Sequence, residues 1–286
     1  MKGVILAAGY GTRFLPGTKT IPKEMFPLID TPAIDLIVRE MVDSGIRDIL
    51  IVTSRRKKPL EDYFDREVEL ESTFMEEGAR KKLELIHPAN VNIFFLRQQV
   101  MAGTGNALML VEPFVGDEPF VVAYPDDVVV DAAPLAGQMI EVYERTGMTV
   151  LAGQELLDGD VSRYGVMELV QDGEVERVRA MVEKPPPGTE PSRVVAYGRY
   201  LYTPELFDAL HKTISAAKPG EEFTQTEAIN AIAKAGRVAV CRFQGTLLDV
   251  GTPQGYLHAT VEMGLRRPEY RAGLLAHLRQ IVAREG

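Results

Sequence analysis

The chain has 286 residues, which at ~150 residues per domain makes one large domain or two small ones, with a core that needs no covalent staples. Its 32 Lys and Arg against 41 Asp and Glu leave a net charge of −9, which argues against DNA or RNA as a partner, because phosphate backbones are gripped by clustered positive charge. A composition of 45% hydrophobic and 26% charged residues is that of a folded globular chain, and the single cysteine, Cys241, excludes an internal disulfide framework and any multi-cysteine metal site. No stretch approaches the ~20 apolar residues of a membrane span, and glycines and Arg13 interrupt the opening MKGVILAAGYGTR too early for a signal peptide. The expectation is a cytoplasmic protein with no membrane contact.

In chain order, KGVIL at 2–6 is a β-branched run that predicts a buried first strand entering a loop. Thr31 followed by Pro32 predicts the cap and first turn of a helix over 33–44, with Ile34, Ile37, Met41 and Val42 on one side and Gly45 as its stop. A second strand follows at 48–53, then a charged helical stretch over 57–86 that His87 and Pro88 terminate, then strands at 91–97 and, as FVVAYPDD, at 120–127. Strands separated by helical patterns predict βαβ units in a sheet covered on both faces, with ligands beyond the carboxyl ends of the strands.

From about Thr149 the pattern shortens, with β-like runs at 149–151, 164–170, 175–182 and 194–202. Helical signals return at 204–214 and 227–234, a strand at 237–243 follows, and an amphipathic pattern runs from Gln254 onward. No low-complexity linker divides the halves. The expected fold is therefore α/β, Rossmann-like, with one mixed, mostly parallel sheet flanked by helices and a smaller α+β subregion. It forms a single domain over 1–286, roughly halved at 148/149.

The loop after the first strand carries Gly9, Gly11 and Arg13, but it is neither a dinucleotide fingerprint nor a P-loop. The third glycine of the former would fall at Phe14, and the Gly-Lys-Ser/Thr of the latter is missing. What remains is a loop whose backbone N–H groups can approach an anion, followed by Arg13, Lys19 and Lys23 among Pro16, Pro22 and Pro27. Cations fixed by prolines suit a triphosphate, whose transition state accumulates negative charge; a solvated basic turn is the alternative. Asp126 and Asp127 end the 120–127 strand, and Asp249 follows another apolar run. Carboxylates from distant strands suit Mg²⁺, which takes one or two protein carboxylates and leaves its other positions to water and phosphates. Read singly, each is also a turn or capping aspartate.

LAAGYGTRFLPGTKTIPKEMFPLIDTP resembles the signature of the sugar-1-phosphate nucleotidyltransferases, and IPKEMFP resembles that of the bacterial UTP:glucose-1-phosphate uridylyltransferases. The likeness continues in order through VTSRRKKPLEDYFD, LRQQVMAGTGNAL, YPDD, RYGVMEL, VEKP, AYGRYLY and DVGTPQGY, over roughly 1–264. It implies in-line attack of glucose 1-phosphate on the α-phosphorus of UTP, with the α+β subregion binding the sugar. It implies catalytic roles for Arg13 and Lys23, nucleotide contacts at Ala8, Gly9, Gly11, Gln98 and Gly103, and sugar-phosphate contacts at Gly165, Glu183, Lys184 and Gly198. By the same resemblance Asp126 and Asp249 hold Mg²⁺, and the protein is a homo-oligomer, with the amphipathic stretch 272–282 as a plausible contact.

Two segments depart from the uridylyltransferase pattern. The glutamine of Glu222-Phe223-Thr224-Gln225 is shifted by one position, and Thr252 and Pro253 stand where polar residues including a lysine are common. Thymidylyl transfer and a non-catalytic nucleotide-sugar-binding regulator are the alternatives; a dehydrogenase is opposed by the failed fingerprint. Read alone, Gln98 is a surface side chain. His211, His258 and His277 are structural or surface residues, and Cys241 is a buried small hydrophobe.

Overall fold

The computed structural model describes residues 1–86, 90–214 and 223–285; the helix end expected at His87, and Glu222 of the shifted segment, lie outside them. The chain runs β1 (Lys2–Leu6), β2 (Pro27–Leu28), β3 (Thr31–Pro32), α1 (Ala33–Asp43), β4 (Asp48–Thr53), α2 (Lys58–Phe64), α3 (Val68–Glu76), α4 (Arg80–Ile86) and β5 (Asn92–Arg97). There follow α5 (Thr104–Met109), α6 (Glu112–Val115), β6 (Phe120–Ala123), β7 (Asp127–Val130), α7 (Leu135–Thr146), β8 (Thr149–Glu155), β9 (Gly165–Asp172), β10 (Val175–Glu183) and β11 (Val194–Tyr202). Last come α8 (Glu205–Ile214), α9 (Thr226–Lys234), β12 (Val238–Arg242), β13 (Thr246–Asp249), α10 (Pro253–Arg266) and α11 (Pro268–Glu285).

Successive side chains of a strand face opposite sides of a sheet, and β1 uses both. Val4 and Leu6 pack with Leu108, Leu206, Leu210 and Ile229 of the helices on one face. Ile5 packs on the other with Ile34, Ile37, Val38 and Met41 of α1 and Met139 of α7. The spacing of the four α1 residues gives that helix its single apolar stripe. Thr31 does not cap α1, however. It pairs through β3 with β2, and Pro32 occupies the cap position with no side-chain hydrogen bond.

Strands from both halves of the chain share one nine-stranded sheet of order β5-β4-β1-β6-β11-β8-β12-β10-β9. It is parallel from β5 to β6 and again between β8 and β12, and antiparallel where β11 inserts and at the β10 and β9 edge. The mixed α/β sheet expected above is thus present, with its parallel part concentrated in the first half.

The run FVVAYPDD is not one strand. β6 stops at Ala123, and after a turn over 124–126, in which Pro125 lacks an N–H for any ladder, the chain resumes as β7 in a separate two-stranded sheet with β13. That second sheet brings Asp249 opposite Asp127 as cross-strand partners.

Candidate active site

Two cavities open side by side beyond the carboxyl ends of β1, β5 and β6, and they meet at Thr104, Tyr124 and Asp126. One, of about 760 Å³, is lined by Ala8, Gly9, Lys23, Gln98, Gly103 and Asp126. The other, of about 640 Å³, is lined by Arg13, Asp126, Gly165, Glu183, Lys184, Gly198 and Asp249. Of the residues that the family resemblance assigns to catalysis, nucleotide, sugar phosphate or metal, Gly11 alone lines neither. With φ at +66° it begins the turn at Thr12–Phe14, its carbonyl accepts a 2.7 Å hydrogen bond from Thr18 Oγ1, and its part is conformational. Lys19 lines a separate narrow cleft with Arg56 and Lys57.

Gln98 follows β5 directly and is only 5% exposed, against its surface reading. Its Nε2 donates to Asn106 Oδ1 at 3.0 Å and more weakly to Gly103 O at 3.4 Å, which fixes the amide beside the cavity wall. Gly103 takes φ +99° to enter α5. Across the junction, Lys184 adopts φ +46°, a conformation rare for a side-chain-bearing residue. Its N–H donates to Tyr164 O at 3.0 Å, and its Nζ stands 3.6 Å from Glu183 Oε1. Gly165 is the register partner of Glu183 and admits its carboxylate, because a Cβ there would lie 3.1 Å from Glu183 Oε2.

The electrostatic centre is Asp126. Lys23 Nζ donates to its Oδ2 at 2.6 Å. Burial acts against both charges, but each partner outweighs it, so the Lys23 pKa is raised and the Asp126 pKa lowered. Asp127 behaves oppositely: burial, and then the neighbouring Asp126 carboxylate, push its carboxyl up to about 7, while Gly198 N–H donates to its Oδ2 at 2.6 Å. Behind Lys23, a second buried pair joins Lys57 Nζ to Glu24 Oε1 at 2.7 Å.

The donor set fits a hard divalent cation. A Cβ placed on Gly251 would lie 2.7 Å from Asp126 Oδ2 and 3.1 Å from Asp249 Oδ1, so both oxygens border one small space that only glycine leaves open. Like charges brought together this way repel, and a cation between them removes the repulsion. Among the described residues no group of three or more His, Cys, Asp or Glu converges as a complete metal cage. Two carboxylates with the remaining positions left to water and phosphate is the habit of Mg²⁺.

Several residues of the site escape sequence reasoning. Tyr124 lines both cavities, and its hydroxyl is buried close to Thr104. Thr104, Tyr164, Tyr200 and Gln225 also line the second cavity; the shifted Gln225 is 6% exposed and accepts from Tyr202 OH at 3.1 Å. Thr104, Tyr124, Tyr164 and Tyr200 all lie inside the family-like segments LRQQVMAGTGNAL, YPDD, RYGVMEL and AYGRYLY, which is the sequence signal that could have found them. His211, His258 and His277 stay outside the site: His211 meets Glu112 at 2.9 Å on the surface, and His258 and His277 are exposed. Cys241 is buried in β12, and burial pushes its thiol up to about 11.

The chain is similar to known proteins along nearly its whole length. The chain is 42% identical to the UTP–glucose-1-phosphate uridylyltransferase YngB of Bacillus subtilis, over 99% of this chain and 96% of that one. Its fold matches a UTP-bound UGPase from Acinetobacter baumannii with a TM-score of 0.86 at 33% identity, covering 99% of this chain and 98% of the other. A UDP-glucose pyrophosphorylase complexed with UDP-glucose matches with a TM-score of 0.80 at 36% identity, over 93% and 99% of the two chains. Residues 2–264 match the nucleotidyl transferase family. The match takes in the glycine loop, the turn that carries Asp126 and the strand that ends at Asp249, and the chain therefore belongs to the nucleotidyl transferase family.

Proposed function

We propose that the protein transfers UMP from UTP to glucose 1-phosphate, giving UDP-glucose and pyrophosphate. The observation that carries this reading is the meeting of two cavities at Asp126, one beside the glycine loop and Gln98, the other beside Glu183 and Lys184. A nucleotide in the first and a sugar phosphate in the second would present their phosphates to each other at that junction. The uridylyltransferase names of the relatives support the choice of substrates.

The attacking group is a phosphate oxygen that is already anionic, so no general base is required. The protein's task is to align two polyanions and offset their repulsion. Lys23, its charge reinforced by Asp126, and Arg13, on the wall of the second cavity, face the triphosphate. Lys184 meets the sugar phosphate and Glu183 accepts hydrogen bonds from sugar hydroxyls. The Gln98 amide offers a donor and an acceptor to the uracil edge, and Ala8, Gly9 and Gly103 let base and ribose approach the backbone. Asp126 and Asp249 would hold Mg²⁺, which supplies charge neutralisation for phosphate oxygens when bound.

We also take 1–286 as one domain, since both halves feed one sheet, and place its work in the cytoplasm, where the lone Cys241 stays reduced. No helix among the described residues is long and apolar enough to cross a membrane. A homo-oligomer is supported by exposed apolar side chains on the last helices, Leu257 at 62% and Val282 at 69%; light scattering after gel filtration tests it, and a monomer at micromolar concentration rejects it.

The activity is tested by incubating the protein with Mg²⁺, glucose 1-phosphate and each nucleoside triphosphate in turn and measuring pyrophosphate. UTP is expected to be the preferred donor. A preference for dTTP would move the reading to thymidylyl transfer. Tight UDP-glucose binding without pyrophosphate release from any nucleotide would overturn the enzyme and leave a regulator.

A further inference from the structure

Arg199 lies in the middle of β11, a strand buried along its whole length, and its side chain is 0% exposed. A guanidinium there calls for explanation, since an apolar residue would suit the position and replacing a buried ion pair by hydrophobic residues is often neutral or stabilising. Its five N–H groups are all used. Nε and Nη2 donate to Glu40 Oε1 and Oε2, each at 2.9 Å. Nη1 donates to Tyr124 O and Gly198 O, each at 3.0 Å, and Nη2 also donates to Asp127 O at 2.8 Å.

Two of these acceptors flank Asp126. Between β6 and β7 the backbone leaves one sheet before entering the other: Tyr124 O, at the turn, accepts from Asp127 N–H at a long 3.3 Å as well as from Arg199, and Asp127 O belongs to the first residue of β7. Of the two carbonyls between them, that of Asp126 is taken by Val250 N–H at 2.8 Å. Gly198 lets the turn sit this close, because a Cβ there would lie 2.7 Å from both Asp127 Oδ2 and Tyr124 Cβ. Glu40 in turn anchors the guanidinium to α1 and, by accepting from Ala136 N at 3.1 Å, to the start of α7.

We propose that Arg199, oriented by Glu40, is a positioning residue: it fixes the 124–127 turn so that the Asp126 carboxylate is held at the junction of the two cavities for the divalent cation and the phosphates. This rests on the metal role assigned to Asp126 above. Loss of the clamp would leave the substrate pockets intact and let the carboxylate wander, and misplacements of about 1 Å cost roughly 10²-fold in rate.

The decisive variant is the double substitution Arg199→Met with Glu40→Leu, which removes both buried charges together and leaves the turn carbonyls unclamped. Read beside it are Arg199→Lys, which keeps a cation for Glu40 but lacks the five-donor fork, and Asp126→Asn. The readouts are Mn²⁺ affinity of the protein by electron paramagnetic resonance, thermal midpoint, kcat, KM for UTP and the Mg²⁺ concentration for half-maximal rate. The expected result for the double variant is a folded protein with kcat down about 10- to 100-fold, Mn²⁺ affinity and Mg²⁺ requirement worse by about 10-fold, and KM for UTP within about 3-fold. Arg199→Lys is expected to fall between it and the parent.

Unchanged kcat and Mn²⁺ affinity in the folded double variant would overturn the proposal. So would failure of both Arg199 variants to fold, which would make the residue a determinant of the fold alone. Parent-like Mn²⁺ affinity in Asp126→Asn would instead remove the metal assignment, an outcome separable from the others.

Discussion

Asp127→Asn turns the electrostatics of the site into a stability measurement. The Asp127 carboxyl is raised to about 7, first by burial and then by Asp126, whereas an unfolded aspartate titrates near ~3.9. Between those values the folded protein holds a proton that the unfolded chain releases, so the contribution of this group to stability is fully present below about pH 4 and is lost as pH rises through about 7. A gap of about 3 units corresponds to roughly 4 kcal/mol. Asp127 lines a water-accessible cavity, and screening there reduces the effect to about 2 kcal/mol.

Asparagine keeps an oxygen that can accept from Gly198 N–H and carries no charge at any of these pH values. With divalent ions chelated, the variant should match the parent at pH 4 and exceed it at pH 8. The excess thermal midpoint should be roughly 4–8 °C on a scale of about 2–4 °C per kcal/mol. Calorimetry at the two pH values decides. A difference that is the same at both, or that favours the parent at pH 8, refutes the claim that Asp127 is forced to ionise against its surroundings.

Three further outcomes follow from the same geometry. Lys23→Met should lower kcat by about 10²-fold or more while changing KM for UTP by less than about 5-fold, since it removes charge stabilisation at the reacting phosphates; steady-state kinetics that show only a KM effect would contradict this. Gly251→Ala puts a methyl group 2.7 Å from Asp126 Oδ2 and 3.1 Å from Asp249 Oδ1, so Mn²⁺ binding and turnover should fall together by about 10²-fold with circular dichroism unchanged. Retained metal affinity would show that the space between these oxygens is not where the cation sits. Gln98→Ala should raise KM for UTP by about 10-fold, the scale of one or two lost hydrogen bonds, with kcat within about 2-fold; an unchanged KM would remove Gln98 from the base pocket.

The elements legible in the sequence are those whose character is local. β1, β4 and β11 begin and end where their apolar runs do, and α1 follows from its i, i+3, i+4, i+7 spacing. Elements made by distant partners were not legible. FVVAYPDD has the apolar character of one strand, yet it divides because Asp127–Val130 finds its ladder in β13, a partner only the folded chain supplies. α7 is not among the elements expected from the sequence, although Pro134 precedes it and Gly147, at φ +63°, closes it; its Leu135, Ala136 and Met139 are seen to be buried only once they pack against the sheet. Gln98 illustrates the same limit, since its polarity says surface while the turn after β5 buries it.

The sequence by itself determined the chemistry of this protein: an acidic, cysteine-poor α/β chain, a proline-stiffened basic loop, carboxylates at strand ends, and ordered segments resembling one family. Composition, periodicity and motif order are properties of the chain, and need no contacts to be read. Only the tertiary structure decided which of these groups share a space. Lys23 meets Asp126, Asp249 arrives through a second small sheet, and Arg199 turns out to satisfy three backbone carbonyls at once. Such pairings arise because buried charges and backbone polar groups must find partners wherever the fold places them, and that demand is met through space rather than along the chain.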